Sequence, residues 1–164
     1  MIHYIQSNMF DAPAQIFAHQ VNCMGVMGSG VAAQVKRRFP VAFELYKELC
    51  DKYEIRKEYL LGTTQICPVT PMDGFAPKLY VANLFAQYDF GRSKYRLYTN
   101  YMELRECLHK LAEFETSGSY TIAIPFHIGC DRGGGDWDGH VKPMIESILR
   151  ECEVFVCQYP PKIG

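Results

Sequence analysis

The sequence predicts an α/β sandwich built on a mixed sheet, and three observations carry that prediction. Short apolar runs alternate with helical patterns in the order β, β-loop-α, α, β, β, α, β-loop-α, β. Two of the strand-to-helix junctions are rich in glycine, at Val21–Ala32 and at Ile128–Trp137. A chain of 164 residues with 48% hydrophobic and 13% aromatic content has the material for a packed core. At this length one domain over residues 1–164 is expected, able to bury about 70% of its unfolded surface. No repeat, low-complexity segment or linker interrupts it.

Taken in order, Ile2–Gln6 is a short strand that ends at Ser7-Asn8, and Asp11-Ala12-Pro13 breaks the pattern. Gln15–Val21 is a second strand. The first helix runs from Ser29 to Arg38 and stops before Pro40, and Lys36-Arg37-Arg38 is its solvated end, where positive charge suits the helix dipole. Ala42–Tyr53 is a second helix, with Phe43, Tyr46, Leu49, Cys50 and Tyr53 at helical spacing. Thr63–Val69 and Lys78–Phe85 are strands separated by a turn at Thr70-Pro71-Met72-Asp73-Gly74. Gln87–Tyr98 is a polar and aromatic loop able to cover a ligand, carrying Arg92, Lys94 and Arg96. Thr99 is expected to cap a long helix to about Glu115, with Glu103 near its start and Met102, Leu104, Leu108 and Leu111 on its buried face. Tyr120–Pro125 is a strand, Val141–Leu149 a helix and Val154–Tyr159 the last strand.

The two glycine loops carry the chemistry. Each follows a buried strand and opens a helix, so backbone N–H groups and the positive end of a helix dipole face the turn. Glycine lets a ligand approach the backbone without meeting a Cβ. In a parallel sheet both loops emerge at the carboxyl ends of strands, where α/β folds bind ligands. Together they can grip one elongated, phosphate-bearing molecule from both sides.

Composition excludes several classes. Net charge is −1, from 17 basic and 18 acidic residues, which gives no global field for nucleic acid or anionic membrane and leaves only local patches. No apolar stretch approaches the roughly 20 residues that span a bilayer. Met1-Ile2-His3-Tyr4 runs straight into a strand pattern, so no signal peptide is expected. The seven cysteines are scattered singly without C-x-x-C spacing, which points to free thiols and a cytoplasmic protein, expected as a monomer without a metal or cofactor. Cys23 and Cys130 sit in the two loops, either as nucleophiles or, as small apolar residues, packed beneath them.

The paired motifs Val-Asn-Cys-Met-Gly-Val-Met-Gly-Ser-Gly-Val-Ala and Ile-Gly-Cys-Asp-Arg-Gly-Gly-Gly-Asp-Trp resemble those of macrodomains, in order and in separation. The resemblance covers nearly the whole chain. His19-Gln20-Val21-Asn22-Cys23 and Gly134-Gly135-Asp136-Trp137 are most similar to the bacterial and phage Appr-1″-p processing branch. It implies a three-layer α/β/α sandwich with a central mixed sheet and an ADP-ribose cleft at its carboxyl end. Asn8 and Met9 then stand at the adenine, where most macrodomains have an aspartate. Asn22 stands at the distal ribose. Gly28, Ser29, Gly30 and Val31 form the first diphosphate loop. Ile128, Gly129, Cys130, Asp131, Arg132, Gly133, Gly134 and Gly135 close over the second phosphate and distal ribose.

The sequence departs from that family where mechanism is concerned. The position two residues past Gly30, an aspartate in one hydrolase branch, is Ala32. The lysine that attacks the sugar in another branch is matched by Gln87, and its partner aspartate by Gly133. The remaining catalytic candidates are Asn22, Asp131 and His127. Asp131 either points at the sugar end or is neutralised by Arg132. Asp136 reads as a helix N-cap before Trp137, and His19 as a core residue rather than a catalyst. Arg92 and Tyr88 belong either to a phosphate grip or to a solvated loop face. Two functions stay open: hydrolysis of an ADP-ribose derivative, either the 1″-phosphate or an ADP-ribosylated macromolecule, and a reader that binds ADP-ribose without turnover.

Overall fold

The structure, a computed structural model, describes residues 1–70 and 78–159. Six strands form one sheet: β1 (Ile2–Gln6), β2 (Ile16–Asn22), β3 (Thr64–Pro68), β4 (Tyr80–Gln87), β5 (Thr121–Pro125) and β6 (Glu153–Gln158). Their order is β1-β6-β5-β2-β4-β3, parallel throughout except that β3 runs antiparallel to β4 at one edge. The sheet is therefore mixed, as the sequence predicts. The helices are α1 (Gly30–Arg38), α2 (Pro40–Lys52), α3 (Tyr101–Gly118) and α4 (Lys142–Ile148).

Alternation along the strands builds three layers. Ile16 and Ala18 of β2, with Ala82, Leu84 and Ala86 of β4, pack with Leu104, Leu108 and Leu111 of α3 and Met144 and Ile145 of α4. Val21, Val81 and Phe85 turn the other way, onto Val35 of α1 and Ala42, Tyr46 and Cys50 of α2. Every residue from Val81 to Ala86 is buried, as expected of a central strand covered on both faces.

Pro40 both ends α1 and begins α2, since its missing N–H costs nothing in a first turn. The long helix differs from expectation at two points. Asn100, not Thr99, is its cap: Asn100 Oδ1 accepts from Glu103 N at 3.1 Å, while Thr99 is buried and bonded elsewhere. Met102 does not join the buried face. It stands two positions before Leu104, about 200° round the helix, and is 81% exposed. The helix also continues past Glu115 to Gly118 and closes on Ser119 in the left-handed conformation. The last helical segment starts early, as a π-helical turn over Trp137–Val141 that leads into α4, and Asp136 caps it by accepting from Gly139 N at 3.0 Å. Beyond Thr70, the turn expected at Thr70–Gly74 lies outside the described residues.

Candidate functional site

A cleft of about 490 Å³ opens at the carboxyl ends of β2, β4 and β5. Residues 19–22 form its floor, the loop from Val26 to Val31 one wall, the turn from Pro125 to Gly133 the other, and Phe90, Gly91 and Arg92 its cover.

The first wall is held by one side chain. The pairing of β2 with β4 breaks register between Val21 and Asn22. There the Asn22 carboxamide turns back, donating from Nδ2 to Val26 O at 2.8 Å and accepting at Oδ1 from Met24 N at 2.9 Å. Tyr46 Oη lies 2.9 Å from the same oxygen and 2.8 Å from Asn22 O. Three of the amide's hydrogen-bonding positions are thus engaged, two by the loop and one by Tyr46 of α2, leaving one N–H of Nδ2 free. Gly30 begins α1 at φ 59°, with open space where a Cβ would stand. Ser29 is extended and makes no side-chain cap, so the first-turn N–H groups of α1 have no side-chain acceptor from Ser29.

The second wall is stitched to the floor and the cover. Thr99 Oγ1 donates to Gly129 O at 2.6 Å and accepts from Gln20 Nε2 at 2.8 Å. Gln20 Nε2 spends its other proton on Gln87 Oε1 at 3.0 Å, and Gln87 Nε2 donates to Asp89 O at 2.7 Å. Gly133 O accepts from both Tyr98 N and Thr99 N, at 2.8 and 3.0 Å. A Cβ on Gly133 would run into Thr99 Oγ1 and Gly129 O, so only glycine fits there.

On the rim, His127 Nδ1 stands 3.4 Å from Asp131 Oδ1, with the two side chains 39% and 78% exposed. His127 takes φ 63°, rare for a non-glycine residue, and its ring stacks on Phe126 at 4.0 Å. The partner of Asp131 is therefore His127 and not Arg132, the neighbour in sequence. The turn, not the chain order, decides which side chain the carboxylate meets.

The His19 side chain is buried, with Nε2 2.6 Å from Asn83 Oδ1. Asn83 donates through Nδ2 to Gln65 Oε1, so its oxygen faces the ring and His19 Nε2 carries the proton. Burial lowers the His19 pKa to about 4, and its Nδ1 has no partner. Burial likewise pushes the Cys23 and Cys130 thiols up to about 12, the packed state rather than the nucleophilic one. Among the described residues no cluster of His, Cys, Asp and Glu has the form of a metal site.

No protein-family model matches the chain. An ADP-ribose 1″-phosphate phosphatase from Scheffersomyces stipitis is 32% identical over 143 residues, covering 76% of this chain and 81% of that protein. The solved macrodomain of Mycobacterium tuberculosis DarG superposes with a TM-score of 0.78 at 25% identity, over 98% of this chain and 99% of that one. This chain belongs to the macrodomain family. A DNA ADP-ribosyl glycohydrolase from Mycobacterium tuberculosis is 27% identical over 164 residues. The match takes in all of this chain but 43% of that protein, so the chain spans less than half the length of such relatives.

Against the positions expected of a macrodomain, Asn22, Gly28–Val31, His127–Gly129 and Asp131–Gly133 all line the cleft. Asn8 and Met9 do not. Asn8 Oδ1 caps the short turn Met9–Asp11 by accepting from Phe10 N, and Met9 is buried with Phe17 and Ala123. Cys130, Gly134 and Gly135 support the turn from behind, with Gly135 N donating to Gly129 O at 2.9 Å. Gln20 and Gln34, outside the expected site residues, also line the cleft, as does Phe90 of the loop expected to cover a ligand. Gln20 had a legible signal, as a long amide in the polar run that ends the strand, His19-Gln20-Val21-Asn22.

Proposed function

We propose that residues 1–164 fold as one domain that binds ADP-ribose in this cleft and hydrolyses an ADP-ribose derivative there. The observation that carries the reading is the His127–Asp131 pair on the rim of a cleft walled by both glycine loops. Backbone N–H groups of Gly28–Val31 and the second turn take the diphosphate, and Arg92 and Arg132 balance its charge. Asn22 offers its remaining N–H to the distal ribose. Asn8 remains the adenine candidate, at the far end and outside the present cleft.

For turnover, water attacks either the phosphorus of a 1″-phosphate or the sugar carbon C1″ of an ADP-ribosyl adduct. His127 takes the water proton, and Asp131 steadies the imidazolium that forms. The P–O or C1″ bond breaks, and its leaving atom is reprotonated by the same ring or by water. Relatives named ADP-ribose 1″-phosphate phosphatase and DNA ADP-ribosyl glycohydrolase support the two substrate classes. The site is proposed to act in a cytoplasmic monomer; no helix among the described residues is long and apolar enough to cross a membrane.

Binding without turnover is the second reading. By the family resemblance Ala32 and Gln87 stand where hydrolase branches carry reactive side chains, and most of the Asn22 amide is already engaged, by Val26 and Met24 of its own loop and by Tyr46 of α2. Calorimetric titration with ADP-ribose, followed by ADP-ribose 1″-phosphate and an ADP-ribosylated oligonucleotide as substrates, separates the readings. Binding with release of phosphate or of ADP-ribose is expected. Binding without either product establishes the reader, and no binding removes the function while leaving the fold.

A further inference from the structure

The hydroxyl of Tyr46 is a buried polar group that the hydrolytic chemistry leaves unused. Tyr46 stands midway along α2, fully buried, and is not among the residues that line the cleft. Its ring packs on Phe43 and Phe85, with centroids 6.3 and 5.6 Å away. That packing fixes where Oη lies, 2.8 Å from Asn22 O and 2.9 Å from Asn22 Oδ1. Burial holds the phenol protonated, far above its usual range. Oη is therefore a donor, with one proton shared between two oxygens of the same residue.

The bond decides how the Asn22 amide sits. Strand pairing does not, because the register of β2 on β4 breaks at this residue. Met24 N–H and Tyr46 O–H both require an oxygen, and Val26 O requires an N–H. A flipped amide would set donor against donor at Met24 and acceptor against acceptor at Val26. Met24 and Val26, however, belong to the loop that Asn22 itself begins. Tyr46 alone is rooted in a helix packed on the sheet, so it ties the amide to the scaffold. The two bonds accepted at Oδ1 also polarise the amide, which makes its free N–H a stronger donor.

We propose that Tyr46 is a positioning residue which, through Asn22, aims and strengthens the contact with the distal ribose. It touches no ligand itself. The role rests on the cleft reading in one respect, that the free Asn22 N–H meets that sugar. Tyr46 then acts selectively. A ligand carrying the distal ribose depends on it, whereas ADP, which has the adenosine and the diphosphate without the second sugar, does not.

The test is calorimetry of the full chain with ADP-ribose and with ADP, and the ratio of the two affinities is the readout. The parent chain is expected to prefer ADP-ribose. Tyr46→Phe keeps the ring packing and removes only the hydroxyl. It should weaken ADP-ribose about tenfold, the loss of roughly one hydrogen bond, and leave ADP unchanged. Asn22→Ala should lower the ratio at least as far, and adding Tyr46→Phe to it should lower the ratio no further. A drop in Tm alone does not move this ratio, which separates aiming from mere support of the fold. An unchanged ratio in Tyr46→Phe, equal weakening of both ligands, or a further fall in the double variant overturns the proposal. A parent chain that binds the two ligands equally would overturn the distal-ribose assignment of Asn22, and the role of Tyr46 with it. Binding of neither ligand would overturn the cleft reading as well.

Discussion

Thr99 Oγ1 donates to the carbonyl of Gly129 at 2.6 Å, across thirty positions of sequence, and the same oxygen accepts from Gln20 Nε2. That hydroxyl joins the floor of the cleft to the turn that closes it. It is buried, so each partner left unpaired loses a hydrogen bond that water cannot replace.

Thr99→Val keeps the shape and removes both bonds. Gly129 O would retain Gly135 N, but Gln20 would lose one acceptor. Stability should fall by about 1–3 kcal/mol, read as a shift of the urea midpoint. Affinity for ADP-ribose should fall as well, because the second wall loosens. An unchanged midpoint would mean that the turn is held by its backbone bonds alone.

Gly30→Glu tests the first wall. The Cβ enters open space, and the positive φ costs a non-glycine residue about 1 kcal/mol, so the protein should fold with a slightly lower Tm. The carboxylate then stands where the diphosphate is proposed to lie. Calorimetry should detect no ADP-ribose binding. Normal affinity in a folded variant would move the diphosphate elsewhere.

His127→Ala should lower kcat about 100-fold with ADP-ribose affinity unchanged, the loss expected of a general base. Asp131→Asn should cost only about fivefold, since the pair is solvent-exposed and such pairs are worth up to about 1 kcal/mol. If both variants turn over normally, the proton is removed by another group.

The sheet and both loops were legible because periodicity and glycine placement are local signals. Val81–Ala86 reads as buried from its composition, and Gly28 and Gly30 announce a strand-to-helix turn wherever they sit. What the sequence hides depends on pairing between distant segments. Gln20 meets Gln87 only because β2 and β4 are neighbours in a fixed register. Thr99 and Asn100 are both competent caps one residue apart, and Thr99 is withdrawn by its bond to Gly129, a contact no local pattern reveals. Asp131 has a cation beside it in Arg132, yet the left-handed backbone at His127 starts a turn that brings the imidazole instead.

His19 gives the last prediction, a pH dependence of stability. Its ring is buried and neutral in the fold, with the pKa lowered from 6.5 to about 4 by loss of water. In the unfolded chain the same ring takes a proton near pH 6.5, so below that pH the unfolded state binds more protons than the native one. Stability from this residue is fully present above pH 6.5 and is lost as pH falls toward 4, by about 3 kcal/mol over the window. His19→Gln can still donate to Asn83 but does not titrate. Urea unfolding of both proteins between pH 7 and about 4.5 should show a steeper loss for the parent chain. Parallel curves would mean that the native state accepts the proton, and that the unpartnered Nδ1 reaches water in solution.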